Sequence, residues 1–361
     1  MAKKDIYDRL AEHFMKMPIG IVRTKEGHER EILKHFFGEE EAEAALHLGP
    51  NFQSIVNLCF LTGRKRSELG PLYEGMAKKG GILASGRGAG RAYALQPFYP
   101  GLFEEIFIKP EQTPRYVKLG KNIEGMFAGG MLNEIHGGKT PWSRVVMVEE
   151  RILNQLEVFP YERVSTYINK YEEMALMPCH CRNRNRMIDK GCGAPADNCM
   201  VFGNGAKWAV KHGLGRMVSR DEMYHKLSEA EEHGLIHCTN NSTDDMLFIC
   251  NCCGCCCYIL FGITRANLPT AVAKSYFEVS IDEETCVGCG KCVERCQVKA
   301  LRLDDNVSRQ ELGRCIGCGI CNLTCPTDSL SMVRRDENDF AVPGRNWAET
   351  IAAIAEEKGR I

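Results

Sequence analysis

The stretch that decides the fold is "CVGCGKCVERC", Cys286 to Cys296, answered downstream by "CIGCGICNLTCP", Cys315 to Pro326. All four cysteines of the first copy recur in the second at an offset of 29, and the residues that follow, "QVKALRL" and "PTDSLSM", match in apolar pattern. This is an internal duplication. Within each copy, cysteines at i, i+3 and i+6 on a tight loop can set three thiolates around one metal–sulfide cube. Gly288, Gly290, Gly317 and Gly319 let those loops take positive φ and turn backbone N–H groups toward the cube. A pair of zinc sites is the rival, but zinc prefers C-x2-C pairs in separated knuckles.

Each copy, C-x2-C-x2-C-x3-C, is similar to the cluster-binding run of bacterial ferredoxins, with Pro326 after the last cysteine of the second copy. Residues 279–334 thus resemble a ferredoxin with two [4Fe-4S] clusters. The fourth cysteine is expected at the start of a helical turn leading away, where it ligates the other cluster. One cluster would use Cys286, Cys289, Cys292 and Cys325, and its twin Cys315, Cys318, Cys321 and Cys296. Gln297 stands where that family usually has proline.

Working outward, the chain has twenty cysteines, of which Cys59 stands alone and nineteen lie between Cys179 and Cys325. The start, "MAKKDIYDRLAEHFMKM", has no apolar signal core, and no run approaches a membrane span. These features predict a cytoplasmic protein, where dense cysteines read as metal or cluster ligands and not as a disulfide framework. A formal net charge of −1 argues for neither nucleic acid nor membrane as a general partner.

Upstream of the repeat, "MPCHCRNRNRMIDKGCGAPADNCMVFG" supplies Cys179, Cys181, Cys192 and Cys199, which could close one tetrahedral site for [4Fe-4S] or, alternatively, zinc. Arg182, Arg184 and Arg186 read either as a solvated basic stretch or as charges that offset a thiolate-ligated cluster. "ICNCCGCCC" adds Cys250, Cys252, Cys253, Cys255, Cys256 and Cys257, more sulfurs than one cube needs. Its "CCGC" is similar to part of the CCG motif of heterodisulfide-reductase-type proteins, although only one CCG occurs. Cys238 reads as a stray ligand or a buried thiol, and His180 and His237 are further candidate ligands. Between these groups "SRDEMYHKLSEAEEHGLIH" predicts a helix capped by Ser219, with Glu222 at the capping-box position and Gly234 as the stop. The cysteines would then sit on loops beside a helical spacer.

The first half has a different character. "EREILKHFFGEEEAEAALHL" predicts two helices broken at Gly38, and two further helices flank Thr62-Gly63. "ILASGRGAGRAYALQPF" predicts a β-hairpin; its "GRGAGR" is a turn and not a nucleotide loop. Helices followed by a hairpin resemble a winged helix-turn-helix. Arg64, Lys65, Arg66, Lys78, Lys79, Arg87 and Arg91 would suit phosphates, yet residues 1–100 carry 15 basic against 12 acidic residues, so protein docking is preferred to DNA. Farther on, "PRYVKLGKNIEGMFAGGMLNEIHG" reads as helical and "SRVVMVEE" as a strand.

The expected fold class is α+β and multidomain. Residues 1–100 form a winged-helix-like docking domain, 101–178 a helical connector and 179–275 a cysteine-rich helical and loop middle with one or two further sites. A ferredoxin-like dicluster domain over 276–335 and a helical tail over 336–361 complete the chain. As a whole it resembles winged-helix-headed 4Fe-4S proteins of anaerobes. The clusters, and not that resemblance, lead to the expected function: electron transfer between a reductant and a dehydrogenase, flavoprotein or reductase partner, by a carrier or oxidoreductase subunit in preference to a stand-alone enzyme. The alternatives are a redox-sensing winged-helix transcription regulator and a disulfide-reducing subunit with a CCG-like cluster.

Overall fold

The computed structural model describes residues 4–148, 163–311, 313–336 and 342–360. The chain divides into two compact units, Met1–Ile135 with Ala355–Ile361, and His136–Ile354. Residues 101–178, read in the sequence as a connector, are shared between them.

In the first unit, helices α1 (Ile6–Phe14), α2 (His28–Phe36) and α3 (Glu39–Ala45) precede a short strand β1 (Gln53–Ser54). Helices α4 (Ile55–Thr62) and α5 (Arg66–Lys78) follow, then the hairpin β2 (Ile82–Ser85) and β3 (Ala92–Leu95). The sheet order is β1-β3-β2, antiparallel throughout. The expected breaks hold: Gly38 stands before α3, and Gly63 ends α4 at φ 66°. The apolar positions that predicted α2 and α3, among them Ile32, Leu33, Phe36, Ala44 and Ala45, are buried. Helices α6 (Phe103–Ile108), α7 (Pro114–Met126) and α8 (Leu132–His136) complete this part.

The second unit is built on a six-stranded antiparallel sheet, which corrects the helical and loop middle expected from sequence. Its strands are β4 (Ser143–Val146), β5 (Met174–Met177), β6 (Cys199–Phe202), β7 (Arg216–Met217), β8 (Ile236–Asn240) and β9 (Phe248–Cys252), ordered β4-β8-β9-β6-β5-β7. Glu149 and Glu150, the end of the strand expected from Ser143, lie outside the described residues. Helices α9 (Val164–Lys170), α10 (His180–Met187), α11 (Gly203–Lys211) and α12 (Arg220–Glu232) are threaded between the strands. Ser219 caps α12 as expected, accepting the Glu222 N–H at 3.2 Å, and Gly234 ends the turn at φ 70°. The Glu222 carboxylate, however, pairs with Arg216 and does not complete the capping box.

The pleat sorts the side chains of this sheet. Met174, Leu176, Met200, Phe202 and Ile249 point to one face and pack with Val164, Tyr167 and Ile168 of α9 and Met223 and Leu227 of α12. Residues one position out of step point to the opposite face. Cysteine drove the sequence expectation as a ligand, but it also alternates as a small apolar residue in "IHCTN" and "FICNC", and this places four cysteines on strands.

After α13 (Tyr258–Thr264), strand β10 (Phe277–Ile281) opens the duplicated tail. Helix α14 (Lys291–Arg295), the hairpin β11 (Leu301–Asp304) and β12 (Val307–Gln310), and β13 (Leu330–Arg334) follow. Strands β10 and β13 pair antiparallel, so the two ends of the repeat meet. The last helix is α15 (Trp347–Glu357). Among the described residues no helix is long and apolar enough to cross a membrane.

Candidate iron–sulfur and thiol centres

The two loops of the repeat have the backbone their glycines foretold. Gly288, Gly290, Gly317 and Gly319 have φ of 65°, 73°, 73° and 77°. At Gly288 and its equivalent Gly317 a side chain is also excluded by space, since a Cβ would lie 2.2 Å from the Asn306 carbonyl oxygen and 2.1 Å from that of Phe277. Cys286, Cys289, Cys292 and Cys325 line one cavity, and Cys296, Cys315, Cys318 and Cys321 line a second. The fourth cysteine of each copy therefore faces the other copy's triplet. It does so from the end of a short helix and not from its start: Cys296 is the C-cap of α14, and Cys325 follows the 3₁₀ turn Asn322–Thr324.

The two cavities differ in polarity. Around the first, Ser308 donates its N–H to Cys286 Sγ at 3.5 Å, the Ser308 hydroxyl is 3.3 Å from Cys292 Sγ, and the Ser329 hydroxyl is 3.1 Å from Cys325 Sγ. Burial acts against the Cys325 thiolate, but the bonds from Ser329 and Thr327 outweigh it and bring the thiol down to about 7. Cys289, at the rim, is exposed. The second cavity is lined by Val279, Ile316, Ile320 and Met332 with Arg295 and Gln297. Ala300 donates its N–H to Cys296 Sγ at 3.1 Å, no hydroxyl among the described residues lines this cavity, and burial pushes the thiols of Cys318 and Cys321 up. Four thiols arranged about a space, with N–H and O–H groups directed at sulfur, are a donor set that fits a cubane and its hydrogen-bonding needs.

Residues 279–332 match the family model of the 4Fe-4S dicluster domain. The segment is a 4Fe-4S dicluster domain. It spans both cavities and all eight cysteines of the repeat. Neither a curated protein nor a solved structure matches the chain.

Immediately before the dicluster domain the remaining cysteines assemble into two groups that differ from the sequence expectation. Cys192 does not join Cys179, Cys181 and Cys199. Its Sγ lies 3.8 Å from Cys253 Sγ and 3.8 Å from Cys256 Sγ, and with Cys255 the four sulfurs all lie within 4.8 Å of one another. The loop after α10 thus meets the turn after β9.

The second group is larger and deeper. Cys179 is hydrogen-bonded to Cys181, Cys181 to Cys257, and Cys257 to Cys252 at 2.9 Å. Cys252 reaches Cys238 and Cys250, and Cys250 reaches Cys199. These sulfurs lie on or beside the sheet face opposite the apolar core. Cys238 is no stray, because the register of β8 and β9 sets it directly across from Cys250. Its signal in the sequence was alternation with Ile236 and Asn240 in a strand, masked there by a reading centred on helices.

His237 is corrected as a candidate ligand. One ring nitrogen is 2.7 Å from Asn251 Oδ1 and the other 3.1 Å from Glu231 Oε1, so both are occupied on the core side of the sheet. His180 is buried beside Cys250, and burial pushes its imidazole down to about 4, leaving it neutral.

The arginines following Cys181 divide. Arg186 is exposed, whereas Arg182 and Arg184 are 1% and 0% exposed and so do not form a solvated stretch. The Arg182 guanidinium donates to the carbonyl oxygens of Pro195 and Asn251, both at 2.7 Å, and to Asn198 Oδ1 at 2.9 Å. All three acceptors are neutral. Burial disfavours its charge, but the sulfurs of Cys179, Cys253, Cys252 and Cys192 more than compensate. Arg182 therefore stands between the two thiol groups as their shared counter-charge.

Gln297 joins this region to the dicluster domain. The Gly254 N–H donates to Gln297 Oε1 at 2.9 Å, and a Cβ at Gly254 would lie 2.1 Å from the Gln297 carbonyl oxygen. The residue that departs from the ferredoxin pattern is the one that fastens the "CCGC" turn to the neighbour of Cys296.

Proposed function

We propose that the protein is an iron–sulfur electron carrier in which the dicluster domain exchanges electrons with a third, buried thiolate-held centre at Cys179, Cys181, Cys199, Cys250, Cys252 and Cys257. Bound clusters supply the one-electron chemistry, and the chain holds, buries and spaces them. The observation that carries this reading is the Gly254–Gln297 contact, which sets the cysteine-rich turn against the backbone next to Cys296. Exposed Cys289 and Val287 (63% exposed) offer an edge where an external partner could approach the first cavity. The Ser308 N–H donated to Cys286 Sγ and the Ser329 hydroxyl beside Cys325 Sγ are features that raise a potential relative to an apolar pocket.

The first unit fits a docking role. The order β1–α4–α5–β2–β3, with β1 beside β3, supports the winged helix-turn-helix reading. Three of its seven basic residues between Arg64 and Arg91 are held by carboxylates: Arg91 forks onto Glu74 at 2.7 and 2.8 Å, Arg64 pairs with Glu40 at 2.7 Å, and Lys79 pairs with Glu41. On α4, Val56 and Phe60 lie about one turn apart and are 61% and 86% exposed, and Phe52, ahead of β1, is 52% exposed. Exposed apolar side chains together with ion-paired arginines suit a protein redox partner better than a phosphate backbone.

An EPR-monitored potentiometric titration with iron and sulfide analysis on anaerobically purified protein tests the reading. The expected result is more iron than two [4Fe-4S] clusters contain, with at least three reducible centres. Iron sufficient only for the dicluster domain, with no further reducible signal, would remove the third centre.

A further inference from the structure

We propose that Cys192, Cys253, Cys255 and Cys256 hold one zinc(II) ion in a mononuclear tetrathiolate site, separate from every iron–sulfur centre. The inference does not depend on the electron-carrier reading.

The sulfur spacing is the first argument. Zinc–thiolate bonds of about 2.3 Å in a regular tetrahedron require sulfurs about 3.8 Å apart. The Cys192–Cys253, Cys192–Cys256 and Cys255–Cys256 pairs are each at 3.8 Å, and no pair of the four exceeds 4.8 Å. On a cubane each thiolate binds a different iron, whereas four sulfurs that all converge on one point suit a single ion. The same chain provides that contrast: among the described residues this is the group of donors that converges on a point, whereas the dicluster cysteines surround cavities.

The surroundings fit a closed structural site. Cys253 and Cys256 are buried against Ala230 and Leu235, with Cys192 and Ala194 packed beside them. Four protein thiolates fill a tetrahedron and leave no position for substrate. Four thiolates and one zinc ion carry a net charge of −2, and the Arg182 guanidinium, buried and bonded otherwise only to neutral oxygens, lies beside Cys192 and Cys253. Its Nε is buried without a hydrogen-bond partner. A tetrathiolate site also binds zinc more tightly than ferrous iron by the usual order of affinities.

Loading such a site from four thiols releases four protons and no electrons, so it needs no oxidant. The ion would close the 61-residue separation between Cys192 and Cys253 and fix the turn carrying Gly254, and through it the contact with Gln297. Its role is to fasten and not to conduct.

Zinc K-edge absorption and metal analysis on the full-length, anaerobically purified protein test this. The expected result is one zinc per chain, bound by four sulfurs at about 2.3 Å with no iron neighbour. In Cys255→Ser, altered at the exposed corner, zinc should fall at least tenfold while iron content and the dicluster EPR signals stay unchanged. Loss of iron with Cys255→Ser, an iron neighbour in the absorption spectrum, or a zinc-free wild type would overturn the proposal. Should that variant fail to fold, the wild-type protein loaded with cobalt(II) decides the matter. Ligand-field bands of a tetrahedral tetrathiolate are expected, and their absence counts against the site.

Discussion

At the scale of single residues, two positions show chemistry that composition hides. Arg182 looked like one of three alternating surface arginines, yet it is sealed between thiols with only neutral hydrogen-bond acceptors. Gln297 looked like a harmless replacement for proline, yet its carboxamide accepts the Gly254 N–H. Gln297→Pro should retain all dicluster iron, because Cys296 already has the extended backbone (φ −73°, ψ 100°) that a following proline requires. The unpaired Gly254 N–H should nonetheless cost about 1–2 kcal/mol, read by anaerobic denaturant titration. The crossed cysteines make a second prediction. Cys286→Ser and Cys325→Ser should perturb the same EPR centre, and Cys296→Ser the other; if Cys325→Ser follows Cys315→Ser instead, each copy closes its own site.

At the scale of elements, the cysteine-rich sheet depends on register. Shifting β9 by one residue against β8 would move Cys250 and Cys252 to the core face and Ile249 to the thiol face. The apolar packing of Met200 and Ile249 against α9 and α12 thus sets where the sulfurs point. Helix α6 carries a separable pH effect. Burial pushes the Glu105 carboxyl from its ordinary 4.5 up to about 7. A folded-state value above the unfolded one means that the protonated group favours folding. This contribution is complete below about pH 4.5 and is lost as pH rises through about 7, amounting to about 2–3 kcal/mol. Glu105→Gln should flatten the fall in stability over that window, measured as denaturation midpoint against pH. An unchanged profile would mean that the carboxyl is solvated.

At the scale of the whole molecule, the cysteines divide unequally: Met1–Ile135 with Ala355–Ile361 carries one, and His136–Ile354 carries nineteen of the twenty. The ion pairs of Arg64, Lys79 and Arg91 lead to the expectation that the protein does not retard duplex DNA above about 0.1 M salt, where exposed charges are screened. A gel shift persisting beyond that salt, and sensitive to the redox state of the iron, would turn the first unit into a regulator's DNA-binding domain.

What the sequence determined by itself is local. The duplicated cysteine spacing, the positive-φ glycines of its loops, the Gly38 and Gly63 breaks, the Ser219 cap and the β2–β3 hairpin depend on neighbours a few residues away, and their physics is complete within the segment. Only the tertiary structure decided that Cys192 joins Cys253 and Cys256 across more than sixty positions, that Cys238 faces Cys250, and that Arg182 is buried between them. Those outcomes follow from strand register and from which face buries apolar surface, and a thiol carries no mark in the sequence of the partner it will meet.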